Sequence, residues 1–274
     1  MLLGPQLQAR FGISRAIFES TTGTTMKKTK IAPQPGTPAQ AHRLLPLGRF
    51  GTYLLGAVIF CTIATIGFGW LAKNIFANRF VAFDNSTILW LHGYWTPATS
   101  QLMLLLTTMG DPVVLVPLLG VVACFLLACG RWLDAAGLLL AGGGSGLLNL
   151  LLKEIFQRVR PSLIDGPLHL TSYSFPSGHS MGAIACYGML AYIGIRLLRN
   201  IRARIALGLA AALLIVSIGV SRVYFGVHYP TDVLGGFLAG LIWLVFSIGV
   251  TQAAEWHARR IQQASSAPYS VPAP

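Results

Sequence analysis

Six apolar runs dominate this chain, at residues 50–72, 112–129, 135–152, 179–198, 205–220 and 233–250. At about 1.5 Å of helix rise per residue, such runs approach or cross the hydrocarbon layer of a bilayer. Of the 274 residues, 54% are hydrophobic and 10% charged, and the mean hydropathy is +0.65. A soluble globule of this size carries far more charge. The sequence therefore predicts an all-α, six-transmembrane-helix bundle over residues 49–252. Residues 1–48 are expected to be a disordered cytoplasmic arm, rich in Thr, Pro, Gln and Lys, and residues 253–274 a disordered polar tail. No apolar core with a small-residue cleavage pattern follows the first cations, so a signal peptide is not expected. Met26-Lys27-Lys28 is an alternative translation start.

The segments between the runs refine this picture. Ile88 to Leu91, with Tyr94 and Trp95, read as a helix lying at the membrane interface, where Trp and Tyr favour the headgroup level. Leu102 to Leu106 lengthen the start of the second span. The glycine-rich stretch from Ala141 to Gly146 falls inside the third run. It reads as close packing of a membrane helix through small residues rather than as a phosphate loop, and the same holds for Gly236 and Gly240. Cys61, Cys124, Cys129 and Cys186 all sit in apolar runs without metal-type spacing, as small buried residues do.

The formal charge of +12 would suggest nucleic acid if the cations shared one soluble face. Six spans place both termini on one side, and all but six of the twenty cations fall there. The exceptions are Lys73, Arg79, Lys153, Arg158, Arg160 and Arg222. Positive residues favour the cytoplasmic side, so both termini are expected inside and no nucleic-acid partner is implied.

Three polar clusters interrupt the apolar pattern between residues 153 and 232. The first is Lys153 with Arg160-Pro161, at the exit of the third span. Pro176-Ser177-Gly178-His179 opens the fourth. Ser221-Arg222, His228 and Asp232 lie between the fifth and the sixth. On the six-span layout all three fall on the outer face, an arrangement that hydropathy alone does not require.

Their chemistry suits a phosphate ester, whose equatorial oxygens carry the charge during transfer. Arg160 and Arg222 offer planar forks for paired oxygens, and Lys153 a point charge. Lys153 and Arg160 are two helical turns apart, and Pro161 is expected to loosen the helix at Arg160. Ser177 and Gly178 place free N–H groups and a positive helix end beside the anion, with Ser177 as cap or donor. His228 has Asp232 four residues on, so the carboxylate can hold Nδ1–H and leave Nε2 free to attack phosphorus. His179, without a nearby carboxylate, is the better acid for the leaving oxygen. Asp111 reads as a cap of the second span, and Glu154 and Asp165 as counterions to Arg158 or Lys153. His42, His92, His169 and His257 are not assigned chemistry, although His169 lies in the loop between two clusters. With eight acidic residues and none grouped, no Mg²⁺ site is expected.

Taken in order, Lys-x6-Arg-Pro, Pro-Ser-Gly-His and Ser-Arg-x5-His-x3-Asp resemble the three-part signature of the type 2 phosphatidic acid phosphatase superfamily. That superfamily also contains vanadium haloperoxidases and soluble acid phosphatases. All eleven signature positions match, and the spans resemble the integral-membrane lipid phosphatase branch; Thr107, Gly110 and Asp111 resemble a weaker motif near its second span. The resemblance implies the superfamily's helical core, with His228 forming a phosphohistidine, Asp232 orienting it and His179 as acid, then base. Lys153, Arg160, Ser177, Gly178 and Arg222 would bind phosphate, with no metal or other cofactor. The implied partner is a lipid phosphate or diphosphate: phosphatidic acid, phosphatidylglycerol phosphate, diacylglycerol diphosphate or undecaprenyl diphosphate. The expected setting is the inner (cytoplasmic) membrane, with the site facing the periplasm or exterior. A phosphotransferase using the same residues, and a lipid transporter, remain open alternatives.

Overall fold

The computed structural model describes residues 49–164 and 171–265. The expected arm at 1–48, with His42, lies outside them, as do Asp165, His169 and residues 266–274. The described residues form eight helices and no strand: α1 (Arg49–Phe76), α2 (Val81–His92), α3 (Pro97–Met109), α4 (Pro112–Ala128), α5 (Trp132–Phe156), α6 (Gly178–Leu197), α7 (Ile201–Tyr224) and α8 (Pro230–Ser265). Five of them, α1, α5, α6, α7 and α8, are long and apolar enough to cross a membrane. A sixth crossing is available from α3 and α4, which meet at a 48° bend.

Local chemistry explains the breaks. Thr96 and Thr99 cap α3 reciprocally, and Pro97 sets its first turn. Asp111 ends the α3 turn in extended backbone, as a residue before proline prefers, and accepts the N–H of Val113 at 2.9 Å. The expected cap is thus in place, and it is also the bend. Asn200 caps α7 in the same way.

Helix α6 is the most enclosed element; it packs against α5, α7 and α8, while α1 lies on α8 and α3 on α7. Its main core joins Leu119, Leu138, Ala183, Cys186, Met189 and Ile218. Small residues make these contacts possible. A Cβ at Gly236 would lie 2.6 Å from the Ser177 carbonyl oxygen, and one at Gly240 2.9 Å from that of Met181. Along the glycine-rich stretch, a Cβ at Gly144 would collide with the Trp243 ring, whereas Gly143 and Gly146 have nothing within 4 Å. That stretch is only half a packing seam; its other half borders open space. Apolar side chains such as Val113 (80% exposed) and Ile155 (71%) face outward around the bundle, as lipid-facing residues do.

Three expectations need correction. The segment around Ile88 does not merely rest at an interface: α2 begins at Val81 and buries Asp84 and Ile88, the latter against Val223 and Val233. The last helix does not stop near residue 252 but runs to Ser265. Side-chain pairs hold that extension: Glu255 receives Arg196 at 2.6 Å and Arg259 at 3.1 Å, Gln252 donates to the Tyr192 hydroxyl, and Arg260 lies over Trp256. Finally, α5 ends at Phe156, four residues before Arg160, with Gln157 in the left-handed region at φ 45°. Lys153 and Arg160 therefore do not share a helix face.

Candidate active site

Four helix ends meet where the sequence clusters fall: the last turn of α5, the first turns of α6 and α8, and the last turn of α7. The Ser177 N–H donates to the Asp232 carbonyl oxygen at 3.0 Å, tying the second cluster directly to the third. Ser177 caps α6, accepting the Ser180 N–H at 3.4 Å and the Ser180 hydroxyl at 3.0 Å, and is fully buried. From α5, Asn149 donates to the Pro176 carbonyl at 3.2 Å. Its Oδ1 would lie 2.9 Å from a Cβ at Gly178, so the approach of α5 to this turn requires glycine. Asn149 has no counterpart in the sequence reading, because a lone amide in an apolar run carries no recognisable spacing.

His228 sits in the turn between α7 and α8. Gly226 shapes that turn at φ 65°, and Pro230 opens α8. The imidazole is 2% exposed. Its Nδ1 lies 3.5 Å from Asp232 Oδ2, and its Nε2 3.1 Å from Arg160 Nη1. A guanidinium has only donors, so Nε2 must present its lone pair there. The neutral ring therefore carries its proton on Nδ1, facing Asp232. Burial, reinforced by the charges of Arg160 and Arg222, outweighs Asp232 and pushes His228 down to about 4. At neutral pH the ring is uncharged.

Arg160 plays a different part from the one expected of a free fork. Its Nε donates to the Ser172 carbonyl, Nη1 to the Val227 carbonyl and His228, and Nη2 to Ser172 Oγ and the Tyr173 carbonyl. All five N–H groups have partners, so it stitches the loop after α5 to the turn carrying His228. Its charge, rather than a paired grip, is what it brings to an anion. Lys153 Nζ donates to Ser172 Oγ at 3.2 Å, and its other two protons have no hydrogen-bond partner among the described residues.

Arg222 is 2% exposed, makes a very short hydrogen bond through Nη1 to Thr107 Oγ1, and its Nε has no partner among the described residues. A buried guanidinium with an unmatched donor suits an anionic oxygen. His179 is not without a carboxylate: Asp111 Oδ2 lies 3.8 Å from its Nε2. The 48° bend of α3 and α4 delivers both Thr107 and Asp111, so the weaker motif belongs to the same cluster. The expected counterions of Arg158 are also different. Asp84 and Asp232 pair with it, and Glu154 forms no ion pair among the described residues.

From this cluster a cavity of about 670 Å³ runs between α4, α5 and α6. Lys153, Gly178 and His179 line its polar end, and Leu115, Leu119, Leu139, Gly143 and Gly146 its apolar length. The site thus joins cations, two imidazoles and a greasy channel.

A family model described as the PAP2 superfamily matches residues 132–256. Phosphatidylglycerophosphatase B of Bacillus subtilis is 38% identical over 148 residues, 53% of this chain and 72% of that protein. Undecaprenyl-diphosphatase of Sulfolobus acidocaldarius is 35% identical over 99 residues, 34% of this chain and 43% of its own length. The crystal structure of a transmembrane PAP2-type phosphatidylglycerolphosphate phosphatase from Bacillus subtilis superposes with a TM-score of 0.66 at 32% identity, covering 70% of this chain and 96% of that one.

Proposed function

Since this chain belongs to the PAP2 superfamily and is a multi-pass membrane phosphoric ester hydrolase, we propose that it removes phosphate from a membrane lipid phosphate or diphosphate through a phosphohistidine on His228. The cavity carries the lipid part of this reading. An acyl or prenyl chain lies against Leu115, Leu119 and the bare faces of Gly143 and Gly146, while the headgroup meets Lys153 and His179. Two relatives bear names for lipid phosphate hydrolysis, one for a glycerophospholipid and one for a polyprenyl diphosphate. The candidate substrates are phosphatidylglycerol phosphate, phosphatidic acid, diacylglycerol diphosphate and undecaprenyl diphosphate.

In the first step the His228 Nε2 lone pair leaves the Arg160 Nη1–H and forms the N–P bond as the P–O bond to the leaving group breaks, and His179, entering as the imidazolium beside Asp111 and the anionic substrate, gives its proton to that oxygen. Asp232, opposite Nδ1–H, stabilises the positive charge gained by the ring. Water then gives its proton to His179, attacks phosphorus and releases phosphate, restoring both imidazoles. The charges of Lys153, Arg160 and Arg222, with the Gly178 N–H, offset the charge on the equatorial oxygens, while the Ser177 N–H stays on the Asp232 carbonyl. Protein cations supply that neutralisation, so turnover is expected in EDTA. The cation distribution supports termini in the cytoplasm and a site toward the periplasm or exterior of an inner membrane.

The test is phosphate release from the four candidate lipids in detergent with EDTA present. Release from at least one is expected. Loss of activity on chelation, or transfer of the phosphate to an acceptor other than water, would contradict the reading.

A further inference from the structure

Asp232 is held from behind by two groups, Asp84 and Arg158, whose side-chain hydrogen bonds among the described residues go to Thr231, Asp232 and each other. Asp84, in the first turn of α2, is fully buried. Its Oδ1 accepts the Thr231 N–H at 3.2 Å, and its Oδ2 accepts the Thr231 hydroxyl at 2.7 Å and Arg158 Nη2 at 2.8 Å. Through Nη1, Arg158 donates to Asp232 Oδ1 and, at 2.8 Å, to Thr231 Oγ1. Its guanidinium lies 4.1 Å over the Tyr229 ring. The other Asp232 oxygen, Oδ2, takes the Tyr229 N–H at 3.0 Å and faces His228 Nδ1 at 3.5 Å. One cation thus sits between two buried carboxylates, and only one of them meets the imidazole.

We propose that Asp84 and Arg158 are positioning residues for the phosphoryl-transfer step: they lock the Asp232 carboxylate so that Oδ2 faces His228, and Asp84 draws off part of the Arg158 charge so that Asp232 keeps the strength to support the imidazolium. This inference rests on the phosphohistidine reading. Without Arg158, the buried Asp232 carboxylate loses its partner on Oδ1 and is held opposite Nδ1 by the Tyr229 N–H alone. Without the Asp84 charge, Arg158 commits wholly to Asp232 and weakens it toward the ring. A plain structural role competes with this one, since Asp84 also satisfies an N–H in the first turn of α8. Asp84→Asn separates them: the amide keeps the shape and a carbonyl acceptor but loses the charge.

Other charges face His228 from neighbouring elements: Arg160 from the loop after α5, His179 from α6 and Arg222 from α7, while Lys153 of α5 lies near Arg160, Arg222 and Asp232. Neither substitution touches them, so the two variants must move the imidazole in opposite directions. Asp84→Asn removes a negative charge and lowers the pH at which His228 protonates; Arg158→Gln removes a positive one and raises it.

The experiment measures kcat, the inhibition constant of inorganic phosphate and the acid limb of the pH–rate profile for wild type, Asp84→Asn, Arg158→Gln and Arg158→Lys. Thermal unfolding reports on folding. In Asp84→Asn, kcat is expected to fall about 10- to 100-fold while the phosphate inhibition constant stays within about threefold. The acid limb of Arg158→Gln is expected about half a pH unit or more above wild type, and Arg158→Lys recovers part of kcat. A second measurement needs no turnover: imidazole titration in ¹³C-histidine-labelled protein, with His228→Asn assigning the signal, should show the same opposite shifts. Folded Asp84→Asn with wild-type kcat, or variants whose His228 titration does not move, would overturn the relay. A wild type that releases no phosphate from any lipid would instead sink the phosphatase reading, while the titration still decides the relay.

Discussion

At the scale of single residues, the site turns on the orientation of one ring. Arg160 can only donate, and so it fixes the proton of neutral His228 on Nδ1 and the lone pair on Nε2. His228→Asn keeps a polar side chain but has no nucleophilic nitrogen. Phosphate release is expected to fall about 10³-fold or more, with membrane insertion and unfolding temperature unchanged, as a phosphate assay and thermal melts would show. The pH profile gives a second check. A ring held down to about 4 is unprotonated, and able to attack, at every pH above that value. The acid limb of kcat/KM assigned to His228 is thus expected well below the ordinary imidazole value of about 6.5. A His228-dependent limb at 6.5 would contradict the burial argument. The motif residues were legible because their types and spacing are unusual in an apolar chain. Asp84, Arg158 and Asn149 were not, since each acts through partners distant in sequence that follow no motif spacing.

At the scale of elements, glycine separates packing from function. A Cβ at Gly236 would press on the Ser177 carbonyl at 2.6 Å and on the Ser180 side chain at 2.9 Å. Gly236→Ala is expected to cost about 1–3 kcal/mol in thermal unfolding and to lower kcat by shifting the α6 cap. Gly146 has nothing within 4 Å and borders the cavity. Gly146→Leu is therefore expected to leave stability near wild type. It should raise KM for long-chain lipid phosphates several-fold relative to a short, soluble phosphate ester, a comparison that steady-state kinetics makes directly. Composition disclosed the small-residue stretch in α5 but could not say which of its glycines meet a neighbour, because that depends on the rotation of α5 against α4 and α8. The same limit applies to α2: its apolar residues read as interfacial, while burial of Asp84 and Ile88 follows from docking on α7 and α8. The length of α8 escaped for a similar reason, since Arg196 on another helix holds Glu255.

At the scale of the whole molecule, the all-α fold and the gathering of the clusters were readable because six apolar runs leave few ways to place their ends. What hydropathy could not show is the 48° bend between α3 and α4, which brings Thr107 and Asp111 to Arg222 and His179. The membrane orientation has its own test. In a cysteine-free background, a cysteine at Glu154→Cys is expected to react with an impermeant thiol reagent in intact cells, and one at Arg259→Cys only after lysis. The reverse pattern would refute the outward-facing site. The most direct measurement is capture of the covalent intermediate, by acid-free quenching during turnover of a ³²P-labelled lipid phosphate followed by peptide mapping. The account predicts a base-stable, acid-labile label on the peptide containing His228, absent from His228→Asn. Label on any other residue, or turnover in wild type with no label on His228 under conditions that slow the second step, would contradict it.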